Sequence, residues 1–477
     1  MPLQMRRIDT RTTNALEELQ KLRQQLSPDG TIVSERSKAL TIEVFGEALP
    51  PIRSVERICT EVRQEGLPAV QRYCRSFDQF ELTPANLRVS AAELQAAHKQ
   101  ARPGLLETVR QVRQNIMAYQ LGILHQDATL RYNDGHELRL RYRPMKRIGV
   151  CVPGGAAAYP STLLMTICPA QAAGVKELVV VAPPTPFGAN NPDVLAVCHE
   201  LGVSEVYRLG GAQAVAALAY GIEGITAVDM IVGPGNLFVT LAKKFVAGHV
   251  GIDGLAGPSE VVVLADHTAN PTYVAADLIA QAEHSPGASL LITWHAPLAD
   301  AVQLEAIRQL EILSRGDLAR QSLECYGAVI LARNREEAID LTNDLAPEHL
   351  HIQADNVEEI AALTVNAGAI FLGEMTPVAL GDYVAGPSHV LPTGGTARFA
   401  SGLSANDFLR KTSMLRFDQA NLTHVSAAVQ FLAEVEGLPG HARSVSLRLD
   451  ADAKGITIGT IPERSRHEVG QRQRCSK

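Results

Sequence analysis

Cysteine is scarce and unpatterned: seven residues, at 59, 74, 151, 168, 198, 325 and 475, are spread over 477. An odd number with no Cys-x-x-Cys pair argues against a disulfide framework and points to a reducing compartment, the cytoplasm. A basic excess is missing as well, since 44 Lys and Arg against 51 Asp and Glu leave a net charge of −7. Nucleic acid and anionic membrane reward a basic face, so neither is an expected partner. The opening Met-Pro-Leu-Gln-Met-Arg-Arg-Ile-Asp-Thr lacks the apolar core of a secretory signal. No Gly-x-Gly-x-x-Gly fingerprint accompanies the glycine turns described below, so the motif case for a dinucleotide is weak by itself.

What is present is an ordinary globular composition, 46% apolar and 20% charged, over a length that suits two or three units of about 150 residues. One run without charge, 148–175, covers 28 residues, more than the ~20 of a membrane helix. Its Pro153, Gly154, Gly155, Pro160, Pro169 and Gln171 divide it into a strand, a turn and a buried helix. Residues 1–125 read as helical, with apolar residues three and four apart over 54–75 and 91–119. From Lys146 short β-branched runs at 148–152, 177–181, 205–209 and 230–232 alternate with Gly/Pro turns and Ala-rich helices, as in a parallel sheet covered on both faces. The rhythm restarts after Gly254 at 260–264, 290–293, 328–331, 349–352 and 369–372. The expected fold class is therefore α/β, with two Rossmann-like parallel lobes and a cleft between them. From about Gly394 the strands stop, leaving an extended loop, a helix near 423–436 and a tail that cannot bury a core alone and should pack on a second subunit.

Several places could carry chemistry. The helix over 275–284 sets Gln281 and His284 three apart on one face of its last turn, before Ser285-Pro286-Gly287 stops it. Both could reach one metal ion; the same spacing equally suits a histidine capping a helix end, where its charge complements the dipole. Glu348 and His349 sit side by side before a strand, a carboxylate and an imidazole fitted for two separate proton transfers, or else plain loop polarity. The Gly- and Pro-rich loop 381–395 carries Asp382 and His389, and Glu436 and His441 follow the last helix. Gln281, His284, Asp382 and His441 together would make a nitrogen and oxygen set suited to zinc, although spacing alone does not bring them together. Gly210-Gly211-Ala212-Gln213 and Gly233-Pro-Gly-Asn236 each follow a strand and open a helix, where amides favour phosphate; tight turns in a parallel sheet would need the same glycines.

These motifs, with 256–260 leading to Ala282-Glu283-His284, 346–350, 381–383, 389–395, 397–407 and 436–442 in one order, closely resemble the histidinol dehydrogenase family over roughly residues 35–450. The resemblance implies an aldehyde-dehydrogenase-like pair of lobes: an N-terminal arm 1–35, a catalytic lobe from 36–147 and 256–393, an NAD-binding lobe 148–255, and a C-terminal dimerisation tail 394–477. It implies a zinc-dependent, cytoplasmic homodimer that oxidises L-histidinol to L-histidine through the aldehyde with two NAD and one water. Carried over by position, Gln281, His284, Asp382 and His441 would hold zinc, the last from the partner subunit. Ser259, His389 and Glu436 would join the metal ligands and His349 around substrate, Glu348 and His349 would be the acid/base pair, and Gln213 and Asn236 would contact NAD.

There are departures. Cys151 stands where relatives commonly have Tyr, which weakens a side-chain contact to NAD there. The loop 183–192 is longer than usual, and a tail beyond Gly455 with Arg464, Arg466, Arg472 and Arg474 has no counterpart; both read as solvated additions. Cys151 or Cys168 could be proposed as a thiohemiacetal nucleophile, but no basic partner lies near either in sequence, so buried inert thiols are expected. Two other classes share these features. A zinc hydrolase could use the same ligands with Glu348 activating water, and NADH absorbance at 340 nm with histidinol separates it from an oxidoreductase. A two-lobed solute-binding protein would be exported, which the missing signal disfavours.

Overall fold

The computed structural model describes residues 3–12, 14–26, 35–154, 157–284 and 287–453. Expectations touching Gly155, Ser285, Pro286, Cys475 and the tail beyond Gly455 lie outside these residues. Among them the strands are β1 (Arg6–Asp9), β2 (Ala128–Arg131), β3 (Glu137–Pro144), β4 (Arg147–Cys151), β5 (Glu177–Ala182), β6 (Glu205–Arg208) and β7 (Met230–Val232). They continue with β8 (Gly251–Ile252), β9 (Ser259–Ala265), β10 (Gly287–Thr293), β11 (Ala328–Leu331), β12 (His349–Gln353), β13 (Ala369–Leu372) and β14 (Leu409–Arg416).

Two parallel sheets result, ordered β6-β5-β4-β7-β8 and β1-β11-β10-β9-β12-β13. All nine strand runs read from the sequence are strands of these sheets. Because successive strand residues face opposite sides, each β-branched run fills two cores at once. Val180 packs on one face of the first sheet and Val179 and Val181 on the other. In the second sheet Val261 and Val263 face one way, Val262 and Leu264 the other. Burying such a side chain is worth about 1.5–3 kcal/mol, so both faces must be covered by helices. Within the uncharged run the described residues include β4 and the buried helix Pro160–Ala173 with Pro169 inside it. Among the described residues no helix is long and apolar enough to cross a membrane.

The chain order reverses between β4 and β7 in the first sheet, and between β9 and β12 in the second. At such a switch point the connections leave in opposite directions and open a crevice.

The structure differs from the sequence reading in its shorter and more polar elements. The helical stretch 54–75 is two helices, Pro51–Glu65 and Leu67–Asp78, divided at Gly66 with φ 67°. Likewise 91–119 is Ala91–Lys99, which ends at Gln100, and Leu105–Gly122, which starts after Pro103 from Gly104 at φ 82°. A positive φ is accessible to glycine and ends a helix that side-chain periodicity alone would continue. The supposedly all-helical beginning contributes β1, an edge strand on β11. The supposedly solvated 183–192 loop is partly core: Ala189 is buried, and the Thr185 hydroxyl donates to the Gly154 carbonyl at 2.5 Å.

Two compact units divide the chain: one runs to His125 and resumes over Arg143–Arg410, and the other joins 126–142 to the described residues from Lys411 onward. Both parallel sheets belong to the first. The second unit holds a sheet ordered β14-β3-β2 and the helices Gln419–Val435 and Pro439–Ala453.

Candidate active site

A cavity of about 700 Å³ lies in the first unit, lined on one side by Cys151, Pro183, Gly210 and Gly235 and on the other by Ser259, Glu348 and His349. The first group stands at the carboxyl ends of β4, β5, β6 and β7, where a parallel sheet presents its ligands. The second group stands at the amino ends of β9 and β12, the two strands flanking the switch point of the other sheet. Two sheets thus face the cavity with opposite edges.

The register of β9 and β12 builds the acid/base pair. His349 pairs with Val261, which puts Glu348 beside Glu260. The Glu348 carboxylate accepts from the Ser259 hydroxyl at 2.6 Å and the Glu260 amide at 2.9 Å through the same oxygen. Burial pushes the Glu348 carboxyl up, and His349, the Ser259 hydroxyl and the Glu260 amide oppose that shift. His349 Nδ1 is 3.0 Å from the Glu260 carbonyl oxygen, a position for an N–H, so the proton assigned there leaves Nε2 as the basic nitrogen. Nε2 lies 3.9 Å from an Asp382 oxygen. A base directed by one hydrogen bond, with its other nitrogen toward the cavity, is the arrangement proton abstraction requires.

Gln281 lies in the helix Pro271–Ala282, and its amide nitrogen donates to the Ser259 oxygen at 2.8 Å. With the nitrogen so engaged, the amide oxygen remains as the donor a cation would take. One turn earlier on that helix Asp277 lies 2.9 Å from His351 Nδ1, while His351 Nε2 donates to the Gly373 carbonyl at 2.8 Å. This buried pair ties the helix that carries Gln281 to the strand that carries His349. Asp382 is on the short helix Ala379–Tyr383, and His389 Nδ1 meets its carbonyl oxygen at 3.1 Å. Burial pulls the His389 imidazole down, opposed by Asp382. The loop bearing both is anchored by Asn115 to the Val384 carbonyl at 3.0 Å, and by the Ser388 hydroxyl to the Met165 carbonyl at 2.8 Å.

Ser259, His284, Asp382, His349, Glu348 and His389 all line the one cavity. Glu436 and His441 belong to the second unit, at the end of the Gln419–Val435 helix and the start of Pro439–Ala453, and both are exposed. Among the described residues no group of three or more His, Cys, Asp or Glu is arranged to hold a metal. Of the expected ligands only His284 and Asp382 are of those types within the first unit, so the expected set does not require such a group there.

On the other wall, the helix Gly211–Tyr220 starts with no side-chain cap, leaving its first amides open to an anion. Gln213, nearly fully buried, donates to Asp78 at 3.3 Å. Asn236 accepts from the Val239 amide at 3.1 Å as the cap of Leu237–Val246, so its oxygen is already used and its amino group is what remains for a ligand. Cys151 is buried, and burial pushes its thiol up to about 12. Cys168 is buried too, its thiol also pushed up to about 12. Burial disfavours the thiolate at both positions, as the expectation of buried inert thiols has it.

Sequence reasoning missed Glu260, which holds Glu348 and His349 through its backbone and is itself fully enclosed. Its Oε1 accepts the Glu348 and Gly394 amides at 3.2 and 3.0 Å, while Oε2 has no hydrogen-bond partner among the described residues. The signal was available: an acid opening an otherwise apolar strand, Ser-Glu-Val-Val-Val-Leu, has to be buried with it.

The histidinol dehydrogenase family model matches residues 50–449. A histidinol dehydrogenase of Rhodopirellula baltica is 57% identical over 442 residues, 93% of this chain and 96% of that one. Another, from a Synechococcus species, is 48% identical over 396 residues, covering 83% and 91%. The crystal structure of histidinol dehydrogenase from Elizabethkingia anophelis superposes with a TM-score of 0.84 at 31% identity, over 94% of this chain and 99% of that one. With the match running through both parallel sheets and every motif of the site, this chain belongs to the histidinol dehydrogenase family, oxidoreductases of histidine biosynthesis.

Proposed function

We propose that this protein is a zinc- and NAD-dependent histidinol dehydrogenase that takes L-histidinol to L-histidine in four electrons, through L-histidinaldehyde, with one water and two NAD. The observation that carries the reading is the Ser259–Glu348–His349 constellation, which opens into the same cavity as His284, Asp382 and Gln213. The residues fit zinc: the ordered donors are an amide oxygen, imidazole nitrogen and carboxylate, of the kind zinc accepts. They also fit a dinucleotide, since the cavity combines an uncapped helix start with glycines that a side chain would crowd; a Cβ on Gly210 would meet Pro183 at 2.7 Å.

Gln281, His284, Asp382 and the partner subunit's His441 would hold zinc, which when bound would supply Lewis-acid chemistry and an anchor that orients the substrate. Gln213 and Asn236 would hold NAD, which would supply the hydride acceptor in both oxidations. His349 Nε2 takes the proton from the alcohol in the first oxidation, and its Nδ1–H stays on the Glu260 carbonyl. Glu348, whose carboxylate is turned by Ser259 and Glu260, takes a proton from the water that adds to the aldehyde. His349 takes the proton of the resulting hydrate in the second oxidation. His389 and Glu436 contact the substrate at positions remote from its reacting carbon. A raised Glu348 carboxyl suits this division, because a base must hold its proton well enough to accept it.

Exposed Phe431, Leu432, Val435 and Leu438 flank Glu436 in the second unit, an apolar surface that supports a homodimer in which each subunit completes the other's site. Unpaired cysteines support a cytoplasmic location. Assay with histidinol and NAD before chelation, after it, and after zinc is restored tests the reading. NADH should form, stop and resume; no NADH from zinc-loaded protein would overturn it.

A further inference from the structure

We infer that Asp78 recognises the adenosine ribose of the dinucleotide, its carboxylate accepting hydrogen bonds from the ribose hydroxyls and repelling a phosphate at the same place. The inference rests on the reading of the cavity as a dinucleotide site. Asp78 is the last residue of the Leu67–Asp78 helix, and Gln79 follows with φ 51°. A carboxylate is poorly placed there, because the last carbonyls of a helix carry partial negative charge. No cation lies within ion-pair range of it among the described residues, and its partners are neutral: the Gln213 amide at 3.3 Å and the Cys74 thiol. Burial pushes the carboxyl up to about 6. An acid that is desolvated, set at the wrong helix end and given no counter-charge is retained for something outside the chain.

That something enters through the cavity. Asp78 lines it beside Phe45, Ile58 and Phe77 and is one of three acids that do, the others being Glu348 and Asp382 at the reactive end. A dinucleotide with its nicotinamide at His349 and its pyrophosphate on the uncapped start of Gly211–Tyr220 brings its adenosine to Asp78, which is hydrogen-bonded to the first turn of that helix. The aromatic and aliphatic side chains there suit the base. The carboxylate suits a vicinal diol, two donors for two acceptor oxygens, and disfavours a phosphate ester of that diol by like charge.

Equilibrium titration of zinc-loaded protein with NADH and NADPH, followed by nicotinamide fluorescence without turnover, tests the inference. The unaltered protein should bind NADH at least about 100-fold more tightly than NADPH. Asp78→Asn should weaken NADH about tenfold, the value of a lost charge-assisted hydrogen bond, and narrow the NADH/NADPH ratio below about tenfold. Unchanged affinity for both nucleotides in folded Asp78→Asn would overturn the assignment. A second arm needs no substitution. The hypoxanthine analogue of NAD should compete as well as NAD, and NAD lacking the adenosine 2′-hydroxyl about tenfold less well; the reverse order would assign Asp78 to the base and overturn the ribose contact. Failure of the unaltered protein to bind NADH at all would defeat the cofactor reading itself, a distinct outcome.

Discussion

A carboxyl enclosed in a parallel sheet needs donors or must give up its charge, and Glu260 shows both responses. Backbone amides of Glu348 and Gly394 satisfy one oxygen, yet burial and the neighbouring Glu348 push the carboxyl up to about 8 from an ordinary value of 4.5. The folded state therefore holds a proton that the unfolded state releases, so stability falls as pH rises from about 4.5 to about 8 and is level beyond. A tenfold change in proton affinity is worth about 1.4 kcal/mol, so the loss amounts to a few kcal/mol. Glu260→Gln keeps an acceptor and cannot ionise. Chemical denaturation from pH 5 to 8 should show the unaltered protein losing stability relative to Glu260→Gln; parallel curves would contradict a neutral Glu260. The two bases differ in what their loss should do. Glu348→Gln should spare oxidation of the alcohol and lower oxidation of the aldehyde by about 100-fold or more, whereas His349→Asn should lower both. Stopped-flow NADH formation from histidinol and from histidinaldehyde separates the two, and equal losses in Glu348→Gln would contradict the assigned roles. Glu348 and His349 were legible in the sequence because an acid and an imidazole stood together before a strand. Asp78 was not, because its partner is a glutamine distant along the chain; Glu260 was legible as an acid buried with its apolar strand but not as the group that holds the pair, because its partners are backbone groups of Glu348 and Gly394.

Among the elements, those with strong apolar periodicity were legible and those without were not. All nine strands read from the sequence follow from short apolar runs, most of them buried on both faces, with β13 at a sheet edge and only Phe371 of it buried. β1, β2, β3, β8 and β14 escaped because short strands and charged residues such as Arg131, Glu137, Arg139, Lys411 and Arg416 carry no alternation to read. Helix ends carry double duty at Asn236, whose oxygen caps Leu237–Val246. Asn236→Asp preserves the capping oxygen and removes the amino donor, so thermal stability should stay within a degree or two while NAD binding weakens. Asn236→Ala should lose about 1 kcal/mol of stability as well. Calorimetry beside NADH titration distinguishes them, and equal stability in all three would contradict the cap.

For the whole molecule the sequence reading expects a tail that cannot bury a core alone; the second unit holds two helices and a three-stranded sheet in which β2 and β14 are largely exposed and β3 is half-buried. If His441 serves the partner subunit, two inactive proteins should repair each other. Exchange of subunits between His349→Asn and His441→Ala leaves each mixed dimer one intact site, and random mixing should restore about a quarter of the activity. No recovery after verified exchange would place His441 in its own subunit's site. The central claim, a single protein performing two successive oxidations on one carbon, is tested most directly by stoichiometry. Limiting L-histidinol with excess NAD and zinc-loaded protein should give two NADH and one L-histidine per histidinol consumed; one NADH per histidinol with histidinaldehyde as the product would contradict it.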